Sequence, residues 1–221
     1  MGKIQSKKRY LLAFLIGTLI FINGFVVTNI ILSIQFNRLS QFQDQISFTI
    51  FEDKLNYRLF DADPCAIDNF NKISKFLNHQ GRSIANLEEK FGKDDRGVKF
   101  RKIFYSLVEL EHFEFINEIN EKCGKDFLTI LFFYSNHQRD IDKSERAGKL
   151  LDYIAQKNEN LIIYSFDINL DSEIIQNLKK LYKIEESPTI IINNNKKISG
   201  NIQLEDIEKN IILIEEEITN L

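Results

Sequence analysis

Chemistry in this 221-residue chain has to come from few side chains, because it carries two cysteines, three histidines and no tryptophan. The sulfurs, Cys65 and Cys123, are distant from one another and belong to no Cys-x-x-Cys pair. In an oxidising compartment an even pair of this kind becomes a structural disulfide. Closing about 59 residues would stabilise the fold by roughly 4 kcal/mol on the loop-entropy relation. The competing reading is a redox-active pair, in which either sulfur ionises and attacks a disulfide. A second group of candidates is the polar run Ser135-Asn136-His137-Gln138-Arg139-Asp140, with Ser144 close behind. Here His137 has the chemistry of a general base and Ser135 or Ser144 that of a nucleophile. No acid at a recognisable spacing orients the histidine, so Ser-His hydrolysis is not expected.

Metal and nucleotide chemistry find little support. Glu109-Leu110-Glu111-His112 holds one Glu-x-x-His, the spacing used twice over in di-iron bundles, and there is no second copy. It reads as a solvated helix face. His79, His112 and His137 are too scattered for a zinc pattern, so no metal is expected. No glycine-rich phosphate loop or dinucleotide fingerprint occurs, and no cofactor is expected.

Charge says where the chain sits. The totals are 29 basic and 32 acidic side chains, but Lys3, Lys7, Lys8 and Arg9 crowd the start and no acid precedes Asp44. Without those four, 25 basic residues face 32 acidic ones. A basic tip on an acidic body is not a nucleic-acid-binding pattern. Tyr10–Ile34 then runs without a single charge. A bilayer core needs about 20 apolar residues, whereas a signal-peptide core has about 7–15. The segment is therefore read as an uncleaved single-pass anchor. Four cations precede it and Arg38 alone follows closely, which predicts a cytoplasmic N-terminus and a C-terminal domain outside the cytoplasm. Asn23 and Asn29 are available to bond a neighbouring helix, though single amides are also tolerated inside a span.

The organisation expected is a basic tip over 1–9, the anchor over 10–34, an extracytoplasmic helical segment over 35–124 and a mixed domain over 125–221. In the helical segment Leu39, Phe42, Ile46 and Ile50 continue a helical period, and Asp61-Ala62-Asp63-Pro64 marks a helix start. Asn78-His79-Gln80-Gly81 and Gly92–Gly97 read as breaks. Phe100, Ile103, Phe104, Leu107 and Leu110 form an apolar stripe with Lys99, Arg101, Lys102, Glu109 and Glu111 between them. The helices fall near 39–60, 64–78, 83–91 and 98–121.

Beyond Phe127 the pattern changes. Phe127–Tyr134 and Leu161–Phe166 are short apolar runs, as strands covered on both faces are. A helix through Leu150, Leu151 and Ile154 separates them, and a second follows over Glu173–Tyr182. Pro188–Ile192 and Lys196–Ser199 flank an Asn-Asn-Asn turn, a hairpin signal, before a last helix over Leu204–Ile218. The order is β-α-β-α-β-β-α, an α/β fold.

That order, the Phe-Phe-Tyr-Ser strand end, Tyr164–Asn169 and the stretch Tyr182–Thr189 resemble the thioredoxin-like superfamily over about Phe127–Ile218. The resemblance implies a cis proline at Pro188, beside which Ser187, Pro188 and Thr189 would receive an extended protein segment. It also implies a dithiol at the helix start after the first strand. This chain has none there, since no cysteine follows Cys123. Without a thiolate at that position thiol–disulfide exchange there cannot occur. The reading is a membrane-anchored, redox-inactive thioredoxin-like protein that binds or assembles a protein partner through Ser135, Asn136, His137, Ser187, Pro188 and Thr189. The alternatives are an atypical oxidoreductase using Cys65 and Cys123, and a structural subunit of a membrane complex.

Overall fold

The computed structural model describes residues 7–34, 37, 65 and 70–219, and the chain divides into two units, Met1–Phe42 and Gln43–Leu221. The helix expected over 39–60 and the helix start at Asp61-Ala62-Asp63-Pro64 lie outside the described residues.

In the first unit α1 (Lys7–Ile34) is one 28-residue helix, long and apolar enough to cross a bilayer. Its apolar side chains stay exposed, with Phe14 at 70% and Phe25 at 65%. The polar ones are satisfied internally. Thr18, Asn23, Thr28 and Asn29 each donate to the carbonyl four residues earlier, at 2.8–2.9 Å. Both asparagine amides are thus bonded within the helix, which is how a polar group is accommodated in lipid without a neighbour.

The second unit begins with two helices, α2 (Phe70–Phe91) and α3 (Arg96–Cys123), joined by a tight turn. Gly92 ends α2 at φ +90°, and Asp95 caps α3 by accepting from the Val98 N–H at 3.0 Å. The sequence predicts a break at Asn78–Gly81, but α2 runs straight through it. Gly81 serves packing instead. A Cβ there would stand 3.2 Å from the Tyr105 hydroxyl, which donates to Leu77 O at 2.8 Å.

Four strands follow, β1 (Leu128–Tyr134), β2 (Leu161–Asp167), β3 (Thr189–Ile192) and β4 (Lys196–Ser199), with α4 (Ile141–Lys157), α5 (Glu173–Leu181) and α6 (Leu204–Thr219) between and after them. The sheet order is β2-β1-β3-β4. β1 and β2 are parallel, in register from Leu128↔Leu161 to Tyr134↔Asp167. β3 is antiparallel to both β1 and β4. The β3–β4 turn places Asn193 and Asn194 in the left-handed region, φ 45° and 57°, which asparagine tolerates better than most residues. The result is a mixed α/β fold with an apolar N-terminal helix.

Successive strand residues point to opposite faces, and each face builds its own core. On one, Leu128, Ile130 and Phe132 meet Leu151 and Ile154 of α4 and Ile211 of α6. On the other, Leu131, Phe133 and Phe166 meet Phe115 and Ile116 of α3 and Ile175 of α5. Each such side chain contributes about 1.5–3 kcal/mol by leaving water. Cys65 and Cys123 form a disulfide across 58 residues of chain, with Cα atoms 5.4 Å apart.

The inner face of α3 departs from its apolar stripe. Phe100 is 70% exposed and Leu107 46%, while Lys102, Glu109 and His112 are buried. Glu109 and His112 therefore do not form a solvated helix face. Polar residues go inside here because each has a partner: Glu109 accepts from the Ser165 N–H at 3.0 Å, and His112 Nδ1 lies 2.9 Å from the Tyr164 hydroxyl.

Candidate functional site

β1 and β2 end side by side, and in open α/β sheets the crevice beyond parallel strand ends is where ligands bind. The chain leaves β1 through Ser135, Asn136 and His137, and leaves β2 through Ile168 and Asn169. β3 runs back antiparallel with Thr189 opposite Phe133, so Pro188 enters at this same end. The Ser187–Pro188 bond is cis.

Two polar networks meet here. The first is uncharged. Asn169 Oδ1 accepts from the Ser135 hydroxyl at 2.8 Å and from the Asn136 N–H at 3.0 Å. Ser135 Oγ accepts from the His137 N–H at 3.1 Å. Ser144 Oγ accepts from the Ser135 N–H at 3.1 Å and lies 3.3 Å from Ser187 Oγ. Ser144 thus ties the loop after β1 to the cis-proline turn. The Ser135 hydroxyl is bonded to Asn169 rather than to an imidazole, and His137 is exposed, so the arrangement has no activated serine.

The second network is ionic. Lys102 Nζ reaches Glu88 Oε1 at 2.6 Å and also Asp167 Oδ2. Asn136 Nδ2 donates to Asp167 Oδ2 at 2.8 Å and to Glu88 Oε1 at 3.3 Å. Lys102 is only 4% exposed and Asp167 5%. Desolvation pulls the Lys102 pKa down, but the carboxylates of Asp167 and Glu88, the former through a hydrogen bond as well, outweigh it and hold the ammonium charged above the ordinary lysine range. Burial pushes the Tyr134 phenol up, so it stays protonated. The lysine satisfies two carboxylates that would otherwise be costly to bury.

Both networks border an open cleft of about 820 Å³ between α2–α3 and α4, over the outward-facing residues of β2. That volume lies in the small-ligand range. Deep in it, Glu109 is 1% exposed, and its Oε2 has no hydrogen-bond partner. Burial drives the Glu109 carboxyl well above the usual carboxylate range, against the opposing pull of the Ser165 N–H. Burial also lowers the His112 pKa to about 4, leaving a neutral imidazole.

Of the residues singled out from sequence, Ser135, Asn136, His137, Ser187 and Pro188 gather at this end of the sheet. Thr189 is fully buried, with its hydroxyl donated to Glu186 O and 2.9 Å from Ser199 Oγ. The Cys65–Cys123 bond lies elsewhere. Cys123 ends α3 just before β1, at the opposite end of a seven-residue strand from Ser135, a span of about 20 Å at roughly 3.3 Å per residue. Sequence reasoning passed over Glu88, Lys102 and Asn169. Asp167 carried a signal, an acid closing an apolar strand. Lys102 carried none.

No family model and no curated protein matches the chain. Among solved structures, one described as "Structure of a malarial protein" is similar over 41% of this chain and 97% of its own, at 16% identity and a TM-score of 0.32. That likeness assigns neither fold family nor activity.

Proposed function

We propose that this protein is a membrane-anchored, redox-inactive thioredoxin-like module, held with its N-terminus in the cytoplasm and its folded unit outside. Its work is to bind an extended segment of a protein partner near the membrane surface. The observation that carries the reading is the Ser187–Pro188 turn at the end of β1, tied through Ser144 to Ser135 where a dithiol would otherwise stand. The strand order β2-β1-β3-β4 and the β-α-β-α-β-β-α succession support the thioredoxin-like assignment. The Cys65–Cys123 bond stands at the other end of β1 from the Ser187 turn, so thiol chemistry is no part of the binding site proposed here. The anchor rests on α1 and its orientation on the cations before it.

The test is a paired assay on the full chain in detergent micelles. Insulin reduction is expected to be absent in wild type and in Cys65→Ser alike. Affinity purification from membranes is expected to retain a defined partner with wild type and to lose it with Ser187→Ala combined with His137→Ala. Insulin reduction that vanishes in Cys65→Ser would overturn the reading in favour of an oxidoreductase. Protection of the folded unit from protease added to intact spheroplasts would overturn the orientation.

A further inference from the structure

β2 is an outer strand of the sheet, and among the described residues no strand pairs with its far side. The Ile168 N–H donates to Tyr134 O and the Leu128 N–H to Asn160 O, so even-numbered residues of β2 face β1. Backbone groups of Leu161, Ile163, Ser165 and Asp167 consequently turn away from β1, and these same residues line the cleft. One of those N–H groups, that of Ser165, is taken by Glu109 Oε1, a side chain standing where a neighbouring strand's carbonyl would stand. The cleft is acidic even with Glu109 uncharged: five other carboxyl side chains line it against three cationic ones. Each cation is already matched, Lys102 by Glu88 and Asp167, Lys93 by Glu145, and Arg82 by the charge of Asp152. Glu89 and the unpartnered Oε2 of Glu109 are left over.

We infer that this cleft is a strand-addition site for an extended peptide segment carrying an arginine or lysine, whose backbone pairs with the outer edge of β2 and whose cationic head meets Glu109. Main-chain pairing gives such a site its affinity and the side-chain pocket its selectivity. A guanidinium arriving at Oε2 supplies the hydrogen bonds that oxygen lacks, and its charge stabilises the carboxylate. The Ser187 turn lies at β3, across β1 from this edge, so the inference does not rest on the function proposed above.

Three probes test it on the full chain in lipid nanodiscs, by calorimetric titration against empty nanodiscs. The parent is a blocked hexapeptide alternating threonine and valine with one central arginine. A second carries citrulline in its place, and a third is the parent with alternate backbone amides N-methylated. The parent is expected to bind at least about tenfold more tightly than the citrulline peptide, as loss of a desolvated charge partner requires. The N-methylated peptide is expected not to bind. Glu109→Gln keeps an acceptor for Ser165 and is expected to bring the arginine and citrulline peptides to equal affinity. Equal affinity of wild type for the arginine and citrulline peptides overturns the inference. So does undiminished binding of the methylated peptide, or no binding of any peptide. These three outcomes need no variant to fold.

Discussion

Helices α3 and α4 both pack on the β1–β2 pair, but on opposite terms. Past Ser144 in its first turn, α4 offers Ala147, Leu151 and Ile154, a face that needs only to be apolar and of suitable size. α3 offers Lys102, Ser106, Glu109 and His112 among its buried residues, a face held by specific pairings, Lys102 with Glu88 and Asp167, Glu109 with the Ser165 N–H and His112 with Tyr164. A contact of the first kind tolerates exchange. One of the second kind fixes position and fails when half of a pair is removed.

The largest expected break is Lys102→Met, which strands Glu88 and Asp167 as close carboxylates. It should cost about 3–5 kcal/mol in urea unfolding of the full chain in micelles, and adding Glu88→Gln with Asp167→Asn should recover most of it. A loss no greater than that of Leu151→Met in α4 would erase the contrast between the helices.

Acid titration sharpens it next. His112 titrates near 4 in the folded chain and near 6.5 when free. The unfolded chain therefore binds a proton that the folded one refuses, and stability from this group falls as pH drops from 6.5 towards 4, by up to roughly 3 kcal/mol. Glu109 acts in the opposite sense. Its raised pKa means that its contribution declines as pH rises above the ordinary 4.5, because only the unfolded carboxyl ionises there. Replacing Glu109 with Gln should leave the histidine unopposed and steepen the rise in stability between pH 4.5 and 6.5. Superimposable profiles would mean that Glu109 is not held uncharged.

Ser144→Ala should cost about 1–3 kcal/mol, because the buried Ser135 N–H loses its acceptor, and amide exchange at Ser135 should accelerate. The smallest effect belongs to Lys99→Met. Lys99 sits one turn before Lys102, but its bond to Asp94 is at the surface, so the unfolding midpoint should not move measurably.

The same contrast explains what the sequence disclosed. The four strands, α5 and α6 lie within a residue or two of their expected limits, and α4 runs through Leu150, Leu151 and Ile154 as expected, since buried strands and an Asn-Asn turn write themselves as local patterns. α3 was legible as a helix but not in its facing, because periodicity ranks Lys102 outside and Phe100 inside. Only the fold, which brings together residues 14 and 65 positions apart, reverses that order. Gly81 misled for a related reason: a residue that usually interrupts a helix was needed for room against Tyr105. It is the family resemblance, not the strand order, that puts Ser135 and Ser187 at one end of the sheet. It passes over Asn169, which joins the two strand ends.

If α1 anchors the chain in a membrane, as proposed, the Cys65–Cys123 bond has a mechanical consequence. Tension arriving at Cys65 crosses the sulfurs directly to the end of α3 and passes into β1. Both helices that complete the cleft lie inside the covalent loop and outside the load path. A pull on the tether strains the sheet first and leaves the ionic pocket slack until that bond is cut.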